Sequence, residues 1–313
     1  MAVKRKIVVA AALLLCGHIA GGQDLSPRAY VITPVNFNAV NVTYAFNSGG
    51  LLFDGAAPIT GATARINLSI VSYYHSLDFF GRSANVTASL PYGLGNFQGT
   101  AFGAEQHAYR SGLLDSFYRF SLNLIGGPAM RLPEMRTWKE KRLLGVSFKV
   151  VAPTGQYDPT KLLNWGNNRW AFKPEIGFSQ RWGHWVLDAY AAGWFFTTNQ
   201  EYFSYNHFFP GHQTQSESPI AAFEGHLSYD FKPRLWISLD GNYWRGGNIS
   251  ISGIENPLTE EKNSRVGVTV SIPLTKHQGL KIAYNNGAYI NYGGNYQNVS
   301  VGWQYSWVGL RPY

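Results

Sequence analysis

The chain is poor in cysteine, in charged side chains and in long apolar runs. Of its 313 residues only Cys16 is a cysteine, and 14% are Asp, Glu, Lys or Arg, against roughly 25% in an ordinary soluble domain. A disordered chain or a coiled coil would carry more charge. No run approaches the roughly 18 apolar residues of a helical membrane span. Glycine (34 residues) and aromatic residues (15%) are abundant instead, which favours strands and turns.

The first 22 residues have the order of features of a secretory signal peptide. The basic residues 4–6 are followed by the apolar run 7–15 and by the small residues 20–22. We expect cleavage near Gly22, which leaves residues 23–313 as a single domain. Cleavage removes Cys16, which excludes disulfides, and lowers the formal net charge from +8 to +5. This mild charge, without a block of basic residues, predicts no nucleic acid partner.

Apolar and polar residues then alternate with a period of two. Successive side chains of a strand point to opposite faces, so Val40 and Val42 are predicted on an apolar face and Asn41 on a polar one. In the next segment Ile66 is predicted on the apolar face and Arg65 on the polar face. The alternating segments are 36–46, 64–76, 82–92, 115–126, 142–152, 169–180, 184–197, 219–231, 235–245, 263–273, 279–289 and 297–307.

These segments are long enough to cross a bilayer as tilted strands, which need roughly 9–11 residues. Strands of a soluble sandwich average only about 5–6 residues. Because lipid offers no partner to bare backbone groups, spanning strands must close into a barrel. The sequence therefore predicts an all-β fold, a transmembrane antiparallel up-and-down β-barrel of about 12 strands, with 14 as the alternative. Residues 94–114 are predicted to form one outer connection, which could fold inward as a constriction.

Several stretches resemble a known protein family, and together they cover nearly the whole predicted mature chain. The chain is similar to the meta-pathway phenol-degradation proteins, which are transporter-like barrels of the outer membrane. The resemblance implies an outer-membrane channel for small hydrophobic or aromatic compounds, without a chemical reaction, and it carries no agreed binding residues. The matching stretches are 80–85, 90–93, 126–129, 152–159, 168–177, 224–231 and 302–307.

Charged and polar residues on the polar faces are predicted to line the lumen and the solute path, where they would set selectivity. A purely structural role in a closed lumen is the alternative. The predicted residues are Arg65, Arg119, Lys149, Lys173, Glu175, Glu224, His226, Asp230, Asp240, Arg265 and Lys281. The aromatic-rich stretch 194–209 is a candidate for capturing apolar solutes or for contacting lipid.

A second alternative is a barrel hydrolase acting on lipid, because His226 and Ser228 lie two apart on one face and a serine nucleophile needs an adjacent base. We favour no catalysis, and no cofactor or metal is predicted. The predicted location is the bacterial outer membrane. The predicted partners are outer-membrane lipids, lipopolysaccharide, small apolar solutes and the barrel-assembly machinery, which would read a last strand ending at Trp307.

Overall fold

The computed structural model describes residues 25–52, 59–101, 104–207 and 209–309, so the predicted signal peptide lies outside the described residues. A short helix, α1 (Leu132–Met135), and a 3-10 turn at Pro257–Thr259 lie between strands. No helix within these ranges has the length and apolarity to cross a membrane. The strands are β1 (Phe37–Leu52), β2 (Ile59–Phe79), β3 (Arg82–Ala101), β4 (Ala104–Leu113), β5 (Ser116–Ile125), β6 (Arg142–Ala152), β7 (Ala171–Trp182), β8 (Trp185–Phe196), β9 (Gln215–Glu217), β10 (Ile220–Lys232), β11 (Leu235–Gly246), β12 (Ile249–Ile251), β13 (Ile254–Asn256), β14 (Glu261–Pro273), β15 (Gln278–Tyr289) and β16 (Gly293–Val308).

The long strands close into one antiparallel barrel. β1 pairs with β16 from Phe37↔Val308 to Leu52↔Gly293, and the pairing of β2 with β3 completes the ring. β4 and β5 both pair with β3, so they form one interrupted strand of the wall. The barrel therefore has twelve strands. The predicted twelve-stranded barrel is confirmed, and the alternative of fourteen strands is wrong.

The two ends of the barrel differ in their connections. Short turns join β2 to β3, β7 to β8, β10 to β11 and β14 to β15 at one end, here called the inner end. The last strand ends there at Val308, one residue beyond the predicted Trp307. Longer connections, 153–170, 197–219 and 247–260, lie at the outer end and include the small sheet of β9, β12 and β13. Outer-membrane barrels place their short turns in the periplasm.

Residues 94–114 do not fold into the lumen. The outer part of β3 pairs with β4 from Tyr92↔Leu113 to Ala101↔Ala104, so this stretch is a hairpin that extends the wall outward. Glu105 and His107 lie on its exposed surface. At the base of the hairpin the amide of Leu114 donates to the carbonyl oxygen of Pro91 at 3.0 Å, and the wall then continues as β5. Residues 94–114 therefore form one outer connection, as predicted, but the predicted inward constriction was wrong.

Outward side chains form an apolar band around the barrel. These residues alternate with buried or lumen-facing polar residues, as the period of two predicts. A contiguous apolar surface of this extent is stable in lipid and costly in water. The most exposed members include Val42, Tyr44, Val71, Tyr73, Leu90, Tyr92, Tyr118, Ile176, Leu187, Phe223, Leu239, Tyr243, Val266, Tyr284, Val299 and Trp303.

The predicted faces of the outer part of β2 are inverted. Ile66 is 2% exposed and packs inside the barrel with Ala64 and Trp165, whereas Arg65 is exposed on the outside. β2 has 21 residues, about twice what a tilted spanning strand needs, so its outer part projects beyond the apolar band. There the outer face meets water and the inner face meets the apolar connection 153–170, which reverses the expected pattern.

We predict that Leu239→Arg lowers the free energy of unfolding by about 2–4 kcal/mol, the cost of an arginine on the lipid face near the bilayer midplane. Leu239 is 62% exposed in the middle of the outward face of β11. Leu258→Arg is the matched control, because Leu258 has a similar exposed fraction (55%) but lies in the outer connection. Urea unfolding in lipid vesicles would measure both, and equal stabilities would contradict the assigned lipid face.

Candidate functional site in the barrel lumen

The segment 25–36, which precedes β1, lies inside the inner half of the lumen. Tyr30 and Ile32 are 2% and 4% exposed. The segment is held by the wall on several sides: the amide of Ala29 donates to the hydroxyl of Tyr190 at 3.0 Å, and the side-chain amide of Asn123 donates to the carbonyl oxygen of Tyr30 at 3.2 Å. This N-terminal segment therefore narrows the bore.

Two glycines of the barrel wall leave the space that the ring of Tyr30 occupies. Gly145 and Gly177 are directly paired across β6 and β7, and a Cβ on them would lie 2.2 and 2.0 Å from atoms of this ring. The hydroxyl of Tyr30 donates to Oε1 of Glu175 at 2.8 Å, and the guanidinium of Arg119 lies 5.1 Å from the ring centroid. Only glycine at both wall positions leaves room for this ring.

Buried charges on the lumen wall are paired with each other. Nζ of Lys173 lies 3.0 Å from Oε2 of Glu175 and 3.1 Å from Oε1 of Glu224, and Nη2 of Arg119 lies 3.2 Å from Oε1 of Glu175. Lys173, Glu175 and Glu224 have side chains 4–7% exposed. Removing one partner of such a network leaves an uncompensated buried charge, so these residues stiffen the wall as well as line it.

A second group of ion pairs ties the N-terminal segment to the inner end. Nη1 of Arg28 lies 2.7 Å from Oδ1 of Asp230, and Nη1 of Arg181 lies 2.5 Å from Oδ2 of the same carboxylate. Nε of Arg181 also lies 3.9 Å from Glu140 in the connection 126–141. Burial raises the pKa of the Glu140 carboxyl, and the Arg181 guanidinium opposes that rise. The carboxylate of Asp230 therefore links Arg28 of the segment to Arg181 of the wall.

Apolar side chains fill much of the outer half of the lumen, beside buried polar groups such as the Arg169–Glu217 ion pair. Trp194 and Trp244, 1% and 0% exposed, pack with Ile220 and Ala222, and Phe117 packs against this cluster. Above it the cluster of Tyr202, Phe203, Ile249, Ile251 and Tyr292 closes the outer mouth. The aromatic stretch 194–209 is thus divided: Trp194 faces the lumen, Phe195 faces outward (47% exposed), and Tyr202 and Phe203 belong to the closing cluster. Phe208 lies outside the described residues.

A cavity of about 1440 Å³ occupies the lumen beside the N-terminal segment and reaches the inner rim. Short neutral side chains of β1, β2 and β16, such as Thr43, Ser72 and Ser300, line one side, and the N-terminal segment lines the other. Phe117 lines this cavity and also contacts the apolar cluster of the outer half. The cavity and the apolar layer therefore meet at Phe117.

Comparison with known proteins identifies the family to which this barrel belongs. The sequence profile described as "Putative MetA-pathway of phenol degradation" matches residues 47–282, about three quarters of the chain. The chain belongs to this family. Among solved structures, the chain is similar to an outer membrane channel from Pseudomonas putida F1, with 16% identity, a TM-score of 0.72 and coverage of 91% of this chain and 100% of that one.

The phenol-degradation barrel is also similar to the transport unit of the autotransporter AIDA-I from Escherichia coli. Identity is 11%, the TM-score is 0.53, and the match covers 97% of this chain and 99% of that one. At such identities both likenesses show the fold alone. A comparison with curated protein sequences gives no match.

The stretch 153–158, the most distinctive part of the family resemblance, anchors the outer connection 153–170. The carboxylate of Asp115 accepts from the amide of Gly155 at 2.9 Å and from the amide of Asn167 at 2.8 Å. Hydrogen bonds from Thr160 and Lys161 lower the pKa of Asp158 to about 2, so its carboxylate stays ionised at mildly acidic pH. These bonds hold the connection where its Trp165 packs against Ile66.

Ten of the eleven predicted lumen residues, all within the described ranges, point into the barrel; Arg65 does not. Arg265 donates to the carbonyl oxygens of Gly294 and Tyr296. Sequence reasoning missed Arg28, Tyr30 and Asp188. Asp188 lies on the lumen face of β8 and accepts from the amide of Arg28 at 3.2 Å. The paired glycines 145 and 177 were the available signal, because two adjacent inward glycines leave a space that another group must fill.

His226 and Ser228 share the lumen face but are not joined. Nδ1 of His226 lies 2.8 Å from Oδ1 of Asp240, and its Nε2 lies 3.6 Å from Oε2 of Glu224. Within the described residues Oγ of Ser228 has no hydrogen-bond partner. These ranges also contain no group of three or more His, Cys, Asp and Glu side chains that could hold a metal ion.

We predict that Gly177→Val displaces Tyr30 and raises the single-channel conductance, because the new Cβ would overlap the ring. Gly225→Val is the matched control: Gly225 lies on the outward face of β10, and a Cβ there meets nothing within 4 Å. Planar-bilayer recordings would compare both variants with the parent protein. An unchanged conductance in a correctly folded Gly177→Val barrel would show that Tyr30 does not restrict the bore.

Proposed function

We propose that this protein is an outer-membrane channel that admits small hydrophobic or aromatic compounds and carries out no chemical reaction. The observation that carries the proposal is the contact, at Phe117, between two compartments inside a closed barrel. An apolar, tryptophan-rich layer packs much of the outer half, and a cavity of about 1440 Å³, whose wall includes charged and short polar side chains, reaches the inner end. The predicted lumen residues other than Arg65 would line this path.

An apolar solute would enter by rearranging the outer layer rather than by passing an open pore. Trp194, Trp244 and Phe117 offer aromatic faces and edges, which bind other aromatic rings in offset or edge-to-face geometry. A solute that is hydrated on every side and has no apolar face would lose its water against these rings, which is costly. The layer would therefore discriminate by desolvation, and the cavity below would return the solute to water.

The comparisons support the same function. The similar structure from Pseudomonas putida F1 is described as an outer membrane channel, and the family description refers to phenol degradation. The apolar outward band fits a lipid environment. We further propose that residues 1–22 are a cleaved signal peptide and that the rim above the apolar band contacts lipopolysaccharide. The barrel-assembly machinery would recognise β16, in which Trp307 is followed by Val308 at the strand end.

We predict that phenol reduces the ionic current of the refolded mature protein in a planar bilayer. Phenol would occupy the aromatic layer and prevent the rearrangements of that layer that let ions pass. Inositol, a hydrophilic six-membered ring, is the control solute and should leave the current unchanged at the same concentration. Equal reduction by both solutes would remove the specificity for apolar compounds. A folded barrel without any conductance would overturn the ion-conducting channel and favour a structural role.

We predict that Ser228→Ala changes no lipid-hydrolysing activity of the refolded protein. Ser228 is 0% exposed, lies on the lumen face rather than the lipid face, and its Oγ is not hydrogen-bonded to His226. A serine nucleophile needs that contact with a base. Release of fatty acid from phospholipid micelles would be measured for both proteins. An activity that Ser228→Ala abolishes would revive the hydrolase alternative.

A further inference from the structure

The geometry points to aromatic carboxylates as the solute class, recognised near the inner end of the cavity by the ammonium group of Lys281 and the ring of Trp236. This inference rests on the proposed channel function and narrows it. Both residues line the cavity, and Nζ of Lys281 lies 5.8 Å from the centroid of the Trp236 ring. A positive charge beside an aromatic surface matches a molecule that combines a ring with an anionic group.

The cavity wall carries a large excess of positive charge. Ten Lys and Arg residues line it against three acidic residues. Each acidic group is already held in an ion pair: Glu175 and Glu224 by Lys173, and Asp230 by Arg28 and Arg181. An anion in this cavity therefore meets uncompensated positive charge, whereas a cation meets no carboxylate that is free of a basic partner. A confined cavity lined by one sign of charge concentrates the opposite sign.

Lys281 is presented to the cavity without a partner of its own. Within the described part of the chain it forms no ion pair or hydrogen bond, and its side chain is accessible from the cavity that it lines. Its cross-strand neighbours on the same face are Ser271 and Gly302, which are too small to cover it. The carboxylate of Asp240 attracts Lys281 electrostatically. It is already hydrogen-bonded to His226, Ser238 and Thr269.

Trp236 supplies the second half of the site. Its ring is contacted by Lys281 on the cavity wall and by the guanidinium of Arg28, 4.6 Å from the ring centroid. Arg28 is fixed by Asp230, so its position beside the ring is set by the N-terminal segment. The carboxylate of a bound solute would pair with Lys281 while its ring packs beside Trp236. The hydroxyl of Ser271, opposite Lys281, offers a further donor.

The charge of the solute follows from its ordinary ionisation. A carboxyl group titrates near pH 4 and is ionised at neutral pH, whereas a phenolic hydroxyl titrates near pH 10 and is neutral. Lys281 would therefore favour a ring that bears a carboxylate over a simple phenol. Loss of a charge-assisted hydrogen bond of about 1.4 kcal/mol corresponds to roughly tenfold in affinity.

Isothermal titration calorimetry of the refolded mature protein in detergent tests this inference independently of transport. Benzoate, benzamide and benzylammonium share a ring and differ in charge. We expect benzoate to bind roughly tenfold more tightly than either other compound. Lys281→Gln should remove most of that preference, and Lys281→Arg should retain it. Lys161→Gln, in the exposed outer connection where Lys161 pairs with Asp158, is the matched control and should bind benzoate as the parent does.

Two outcomes would overturn the site: no preference for benzoate in the parent protein, or an unchanged affinity in a Lys281→Gln barrel that keeps its heat-modifiable migration in electrophoresis. A planar-bilayer recording of conductance tests the channel function separately from the binding site. Benzoate binding in a barrel without conductance would contradict the channel and leave the site intact. A conducting barrel that binds the three compounds alike would leave the channel and remove the carboxylate site.

Discussion

The hydrogen-bonded seam between β1 and β16 is the interaction on which the rest of this structure depends. An open sheet edge in lipid would leave backbone N–H and C=O groups unpaired, each at a cost of several kcal/mol. Sixteen residue pairs, from Phe37↔Val308 to Leu52↔Gly293, remove that edge. Closure then forces every strand to divide its side chains between lipid and lumen, so the apolar band and the lumen network both follow from this pairing.

The interior is filled in two chemically different ways. The outer half packs tryptophans and aliphatic residues around a few buried polar groups such as the Arg169–Glu217 pair, and the inner half holds a network of ion pairs and the N-terminal segment. The difference matters because the two fillings respond to different solutes. Apolar side chains can move aside for an apolar molecule, which replaces the contacts they lose. The ion pairs around Lys173 resist separation, because separating them would leave a buried charge uncompensated. The path is thus adaptable in its outer half and rigid in its inner half.

The period of two was sufficient to predict twelve strands and to place Lys173, Glu224 and His226 on the lumen face. It failed for Ile66, because alternation alone does not say which face meets lipid once a strand projects beyond the bilayer. It could not find the N-terminal segment either, since Tyr30 and Ile32 are buried by long-range contacts and not by their own strand pairing. Asp188 was missed because its strand is rich in aromatic residues on both faces.

The position of the N-terminal segment makes it a tethered ligand of its own barrel. It is joined directly to β1, so its effective concentration at the lumen wall is set by a very short linker and not by diffusion. Contacts that would be too weak to hold a separate peptide, such as the single carboxylate of Asp230 on Arg28, are sufficient in this arrangement. Release of the segment would therefore be local and reversible, and it would leave the wall of the barrel unchanged.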